Sequence, residues 1–187
     1  MLIMEFYTET RFKNWIEKIK ETDIKEDDAN SLAVFDQMLE DFVIACLSIV
    51  RSVKEREIKK EEAIKEIDKI GSIVNKKEKF GSELKNEIFE FTVESIRAVL
   101  QSFRYFLEGK TSKKDFQALL NDAVKKQEKG EYEKALDLIA RMGAKVIKGE
   151  RLPDLELPEE GIILSWLDGV DAINAVLELS EIDAPAE

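Results

Sequence analysis

The strongest constraint on the fold is an unbroken apolar stretch from Phe42 to Leu47, inside the segment DFVIACLSIV (residues 41–50). On both sides apolar residues recur at spacings of three and four without Gly or Pro, which predicts one long helix over 30–56 rather than a strand. A helix needs about 20 apolar residues to span a bilayer, and charged residues flank this stretch, which argues against a membrane. A helix that is apolar on every face must be covered on every face, so we expect other helices to surround residues 42–47.

The composition favours a single all-helical domain. The 187 residues include only eight Gly and three Pro, too few for the many turns of a strand-rich fold. A lone cysteine excludes an internal disulfide framework and suits a reducing compartment. The opening MLIMEFYTETRF has no basic segment leading into an apolar one, so we expect no signal peptide and a cytoplasmic protein.

The predicted fold is all-α, a bundle of about seven helices around the long helix 30–56. The segment GERLPDLELPEE holds two of the three prolines and is the only predicted linker. We therefore predict one domain, with a bundle at 1–148, a linker at 149–158 and a C-terminal helix within 159–187 that docks on the bundle. The helices are predicted at about 9–22, 30–56, 59–76, 81–108, 112–129, 131–148 and 159–180.

Three helix starts carry recognisable capping residues. Thr8 is a predicted N-cap for the first helix. Ser112 with Asp115 resembles a capping box for the fifth. Pro158 can occupy the first turn of the last helix, where its missing N–H costs little.

Charge is unevenly distributed along the chain. Residues 1–50 hold 11 acids and 5 bases, residues 51–149 hold 18 acids and 23 bases, and residues 150–187 hold 11 acids and 1 base, for a net charge of −11. Non-specific binding of nucleic acid relies on excess Lys and Arg, so the overall charge disfavours nucleic acid as a partner. We expect a protein partner, with a second copy of this chain as one candidate.

The sequence contains no histidine, which excludes Ser–His–Asp and Cys–His catalysis and histidine-ligated zinc. Its glycines form no phosphate-binding loop. Cys46, inside the apolar helix, is expected to be an inert core thiol with a raised pKa. We therefore predict no catalytic residue and no cofactor.

Carboxylates at helical spacing are the remaining candidates for chemistry. All-α nucleotide pyrophosphohydrolases hold Mg²⁺ with acidic residues three apart on neighbouring helices, and here Glu87 and Glu90, and Asp168, Asp171 and Asn174, share that spacing. The same spacing is common on the surface of acidic helical proteins, and both sets lie opposite an apolar stripe. We therefore assign no metal ligand.

The segment LSWLDGVDAI contains the candidate interface residues Trp166, Leu167 and Val170. Tryptophan is enriched at binding hot spots, yet the same stripe could dock the last helix on its own bundle. The linker leaves a third possibility, in which the last helix reaches a second copy.

Five segments together resemble one archaeal domain family of unknown function. They are FYTETRFKNWIEKIKE, VIACL, KKEEAIKEI, GEYEKALDLIARMGAKVIKGE and LSWLDGVDAI, and they cover nearly the whole chain in order. The resemblance implies an archaeal cytoplasmic protein of one domain, found in methanogens and halophiles. It assigns no catalytic residue.

Three functional hypotheses follow. The first is a non-enzymatic helical scaffold or protein-interaction protein that forms homo-oligomers, because apolar helical faces are abundant and catalytic groups are missing. The second is a Mg²⁺-dependent phosphohydrolase that uses the helix-borne carboxylates. The third is an accessory factor of a nucleoprotein complex that uses the basic middle of the chain.

Overall fold

The computed structural model of the chain describes residues 5–182, and this part contains seven α-helices and no strand. The predicted all-α class is confirmed. No helix within residues 5–182 combines the length and the apolar character that a bilayer span requires. Residues 183–187, which the predicted C-terminal segment includes, lie outside the described residues. The helices are α1 (Glu9–Glu21), α2 (Ala29–Lys54), α3 (Lys60–Val74), α4 (Glu83–Glu108), α5 (Phe116–Glu128), α6 (Tyr132–Lys148) and α7 (Ile163–Ile182).

Most helix ends lie within two residues of their predicted positions, but α5 begins four residues late. Its N-cap is Asp115, whose carboxylate accepts a hydrogen bond from Ala118 N at 2.7 Å. The predicted capping box that begins at Ser112 is therefore wrong. At α1 the predicted cap is confirmed, since the Thr8 hydroxyl accepts from Arg11 N at 3.1 Å.

The start of α7 also differs from its predicted position, because the helix begins at Ile163. Gly161 precedes it with φ +110°, a conformation that favours glycine, and its carbonyl accepts from Leu164 N at 3.2 Å. Pro158 is therefore outside the first turn, and the irregular segment between α6 and α7 continues to residue 162.

The chain divides into two compact units, Met1–Val93 and Glu94–Glu187, and the division falls inside α4. The N-terminal unit contains α1, α2, α3 and residues 83–93 of α4. The C-terminal unit contains residues 94–108 of α4 with α5, α6 and α7. The predicted single domain around a central α2 stays a prediction.

In the N-terminal unit, α1, α2 and α3 contact one another through apolar faces. Along each helix the apolar residues recur at the helical period, which places their side chains on one side of the helix. Burying one such side chain stabilises the fold by roughly 1.5–3 kcal/mol. The buried set includes Phe12, Ile16 and Ile19 on α1, Met38, Phe42 and Ile49 on α2, and Ala63, Ile67 and Ile70 on α3.

The apolar stretch of α2 is helical as predicted, but it is not covered on every face. Phe42, Val43 and Cys46 are fully buried, whereas the side chain of Ile44 is 51% exposed. The expectation of complete coverage is wrong at this face. The reason lies in the geometry of the helix, in which neighbouring residues point about 100° apart, so the elements that cover Val43 need not cover Ile44.

Asp41, directly before this stretch, joins α2 to α1. Its carboxylate accepts hydrogen bonds from Arg11 Nε at 2.9 Å and from Trp15 Nε1 at 2.8 Å. Charge-assisted bonds of this kind are stronger than neutral ones. The hydroxyl of Tyr7 is buried nearby without a hydrogen-bond partner in the described part of the chain, and burial, with a further contribution from Asp41, raises the pKa of Tyr7.

In the C-terminal unit α6 contacts α5 and α7, and residues 142–146 of α6 are buried without interruption. It approaches α4 closely at Gly143, where an added Cβ would lie only 1.9 Å from Ser102 Oγ. A second close approach joins α7 to α4, where a Cβ on Gly169 would lie 2.3 Å from the carbonyl oxygen of Ser95. Glycine at these two positions therefore allows the helices to cross with little space between them.

Candidate docking groove between the linker and α7

Residues 151–162, which we call the strap, cross the C-terminal unit without forming a helix or a strand. Gln117 on α5 binds the backbone of the strap at Glu156. Its Oε1 accepts from Glu156 N at 2.9 Å, and its Nε2 donates to Glu156 O at 3.3 Å. This pair of bonds satisfies both backbone groups of the residue, and it fastens the middle of the strap to α5.

Two more amide side chains hold the ends of the strap. On α7, Asn174 Oδ1 accepts from Leu152 N at 3.0 Å. On α5, Gln127 Oε1 accepts from Ile163 N at 3.2 Å, at the first residue of α7. Because Gln117 and Gln127 are ten residues apart on one helix, the strap follows about 15 Å of α5.

Gly161 allows the strap to approach α5 closely at its C-terminal end. A Cβ on this residue would lie 2.3 Å from Gln127 Oε1, and its φ of +110° is also unfavourable for other residues. The conformation of the strap is therefore fixed by specific contacts, although the segment has no regular secondary structure.

A groove of about 370 Å³ lies between the strap and α7. Its lining combines apolar side chains with carboxylates. The apolar lining consists of Leu152, Pro153, Leu155 and Leu157 from the strap and Leu167 from α7, and the acidic lining consists of Asp154, Asp168 and Asp171.

The groove exposes both apolar surface and negative charge. Leu157 is 59% exposed, and it lines the groove with four other apolar residues. Asp154 and Asp171 are exposed as well, and neither has a hydrogen-bond or ion-pair partner within residues 5–182. Asp168 differs, because its Oδ2 lies 3.5 Å from Ser95 Oγ.

The three candidate interface residues lie within the C-terminal unit rather than on its outside. Trp166 is buried and its Nε1 donates to Glu94 Oε2 at 2.9 Å, and Val170 is fully buried. Leu167 is also buried, but it lines the groove. Their burial favours the docking of α7 on its own chain, and a role of these side chains in an interface stays a prediction.

The residues whose spacing resembles that of metal ligands lie on α4 and α7. Glu87 and Glu90 are exposed on α4, and Asp171 is exposed on α7, while Asn174 holds the strap. In residues 5–182 no three His, Cys, Asp or Glu side chains form a group that could hold a metal ion. The phosphohydrolase hypothesis thus continues to depend on sequence spacing alone.

Cys46 is a core residue, as predicted. It is a free thiol that is fully buried on α2, and burial raises the pKa of the Cys46 thiol. A thiol that is neutral and inaccessible is a poor nucleophile, so its role is packing.

Sequence reasoning missed the residues that hold the strap. The available clue was composition, since this chain uses Lys and Glu heavily at surface positions and contains only four glutamines. Two of those four, Gln117 and Gln127, bind the strap. An amide can donate and accept at once, which a Lys or Glu side chain cannot do for a peptide group.

Residues 5–184 match the family DUF2150, described as an uncharacterised protein conserved in archaea. The comparisons with curated proteins and with solved structures gave no match. The predicted resemblance to an archaeal family of unknown function is confirmed. On the strength of a match over nearly its whole length, the chain belongs to the DUF2150 family of archaeal proteins.

Proposed function

We propose that this chain is a non-enzymatic protein-interaction protein that contacts its partner through the strap and the adjoining groove. The observation that carries the proposal is the combination of a fastened irregular segment with exposed apolar surface. Leu157 is 59% exposed although Gln117 binds the preceding residue of the strap. Leu157 lines the same groove as four other apolar residues, and a contiguous apolar surface rimmed by polar groups is typical of interaction sites, which a single exposed leucine is not.

The way the strap is held supports binding. Ordering a segment on binding costs conformational entropy, and a segment already held in place avoids much of that cost. Leu152, Glu156 and Ile163 are each fixed through their backbone by a side chain from α5 or α7. The strap therefore presents its leucines in one arrangement before any partner arrives.

We also propose that the protein acts in the cytoplasm and associates with a second copy through a different surface. The thiol of Cys46 suits a reducing compartment. In the N-terminal unit Ile44 is 51% exposed and Phe91 is 42% exposed. Large apolar side chains of this kind contribute to homo-oligomer interfaces more than polar ones do.

Site-specific photo-crosslinking in archaeal cells tests the binding role of the strap. A photoreactive phenylalanine analogue replaces Leu157 in one version of the full chain and Tyr132 in the other. Tyr132 is a matched control because it lies on α6 and is 52% exposed. We expect a defined protein adduct from position 157, because the partner lies against the strap.

The crosslinking result is read by comparing the two positions. An adduct of one discrete mass at position 157 and none at position 132 supports the proposal. The same set of adducts at both positions, or none at position 157 while the protein is folded by circular dichroism, contradicts it.

A further inference from the structure

We infer that the partner presents a basic apolar segment, a stretch that carries lysine or arginine beside leucine-like side chains, and that this segment occupies the groove between the strap and α7. The inference rests on the proposed function and adds the chemistry of the partner. It depends on the pairing of apolar lining with carboxylates at one groove.

The charge of the groove selects a basic partner. Asp154, Asp168 and Asp171 line it, and Asp154 and Asp171 have no partner within the described residues. The wider segment 150–187 carries 11 acids and a single base. An acidic or neutral segment would leave Asp154 and Asp171 without complementary charge, whereas lysine or arginine would pair with them.

The apolar lining selects a segment with aliphatic side chains. Four strap residues and Leu167 supply apolar surface, and about 370 Å³ leaves room for a few side chains of leucine size. Burial of apolar surface is favourable in proportion to its area, so contact with these side chains supplies affinity. The carboxylates of the groove contribute more to the association rate and to the choice of partner.

Another protein fits the groove better than a second copy of this chain. The groove is acidic, so its occupant should carry basic side chains with few acids among them. Even the most basic part of this chain, residues 51–149, mixes 18 acids with its 23 bases. A different protein with a concentrated basic segment gives better charge complementarity at this groove.

Fluorescence anisotropy with labelled synthetic peptides tests the inference on the full chain. The probe is a short amphipathic peptide with leucines at helical spacing and lysines between them. One reference peptide replaces every lysine by glutamate, and another replaces every leucine by serine. We expect the probe to bind more tightly than either reference, and its affinity to fall as salt screens the carboxylates.

Two matched double variants locate the site. Asp154→Asn with Asp171→Asn removes two charges from the groove and changes side-chain size little. Glu26→Gln with Asp27→Asn removes two exposed acidic charges from the N-terminal unit. Exposed ion pairs are individually weak, so we expect about a fivefold weaker affinity for the groove variant and no change for the control.

The possible outcomes separate the inference from the proposed function. Equal loss in both double variants, tight binding of the glutamate peptide, or no binding of the probe overturns the inferred partner chemistry. If position 157 still forms a discrete adduct in cells, the proposed function stands and only the chemistry is wrong. If the probe binds at the groove but no adduct forms at position 157, the groove binds basic apolar segments in vitro, but the proposed function in cells is wrong.

Discussion

Two helical stretches of this molecule show that hydrophobic sequence and complete burial are different properties. Residues 42–47 of α2 are all apolar, yet Ile44 is 51% exposed. Residues 142–146 of α6 include a glycine and a lysine, yet all five are buried. The stretch with the more hydrophobic sequence is the less completely covered of the two.

The difference follows from how closely a neighbouring helix can approach. On α6 the missing side chain of Gly143 lets α4 come within contact of the backbone. The long side chain of Lys145 is buried because its ammonium donates to the carbonyl of Lys114 and lies 4.6 Å from the centre of the Phe116 ring. On α2 the side chain of Ile44 stays 51% exposed although its neighbours Val43 and Ala45 are buried. In these two stretches burial depends on how the neighbouring elements lie, and not on hydrophobicity alone.

The largest effect is expected where the α2 stretch is fully buried. Phe42 stacks on Tyr7 with ring centres 4.3 Å apart and meets Phe12 edge to face at 6.1 Å. Replacing Phe42 by Ala should lower the free energy of unfolding by about 3–5 kcal/mol, because lost burial and a cavity add together. Urea denaturation followed by circular dichroism measures this loss.

Phe91→Ala is the matched control for that substitution, because it removes the same atoms from a side chain that is 42% exposed. We expect a clearly smaller loss there. An equal loss of unfolding free energy in the two variants would contradict this prediction. It would mean that the burial of Phe42 and the exposure of Phe91 do not affect what each side chain contributes to stability.

The second prediction concerns the close approach at Gly143. In an open helix Gly→Ala stabilises by roughly 0.5–1 kcal/mol. Here the new Cβ would lie 1.9 Å from Ser102 Oγ and 2.4 Å from Ser102 Cβ, so we expect Gly143→Ala to destabilise by about 1–3 kcal/mol through overpacking. Urea denaturation measures the change, and a lower free energy of unfolding for Gly143→Ala than for the wild type supports the prediction.

Substitutions at Ser102 sharpen this prediction. Ser102→Gly removes both clashing atoms and should recover part of the loss when combined with Gly143→Ala. Ser102→Ala keeps the Cβ and should recover less. A Gly143→Ala protein more stable than the wild type would show that α4 and α6 separate at little cost, and that coverage of α6 does not depend on its glycine.

Local sequence patterns predicted where the helices lie, but not which of their faces are buried by other helices. Apolar spacing of three and four located all seven helices because it reflects the geometry of a single helix. The exposure of Ile44 depends on where other helices lie, and no periodic pattern within α2 encodes that. The late start of α5 has a local cause, because Asp115 and not Ser112 is the N-cap.

The candidate site was less predictable than the fold. The acidic balance of residues 150–187 and the prolines of the linker were visible in the sequence. The fixed course of the strap was not, because Gln117 and Gln127 bind residues 39 and 36 positions away. Proline and charge indicated a linker but not its course, which amide side chains from α5 and α7 determine.

The smallest effect on stability is expected at the uncovered face of α2. Ile44→Ser replaces an exposed side chain, and surface substitutions usually change the free energy of unfolding by within about 0.5 kcal/mol. If a second copy covers this face, light scattering should give more than one chain mass for the wild type and a lower mass for Ile44→Ser. Leu179→Ser, at a residue 60% exposed on α7, should leave the mass unchanged. A wild type that stays monomeric at micromolar concentration would remove the proposed self-association, because Ile44 would then face water in the working protein.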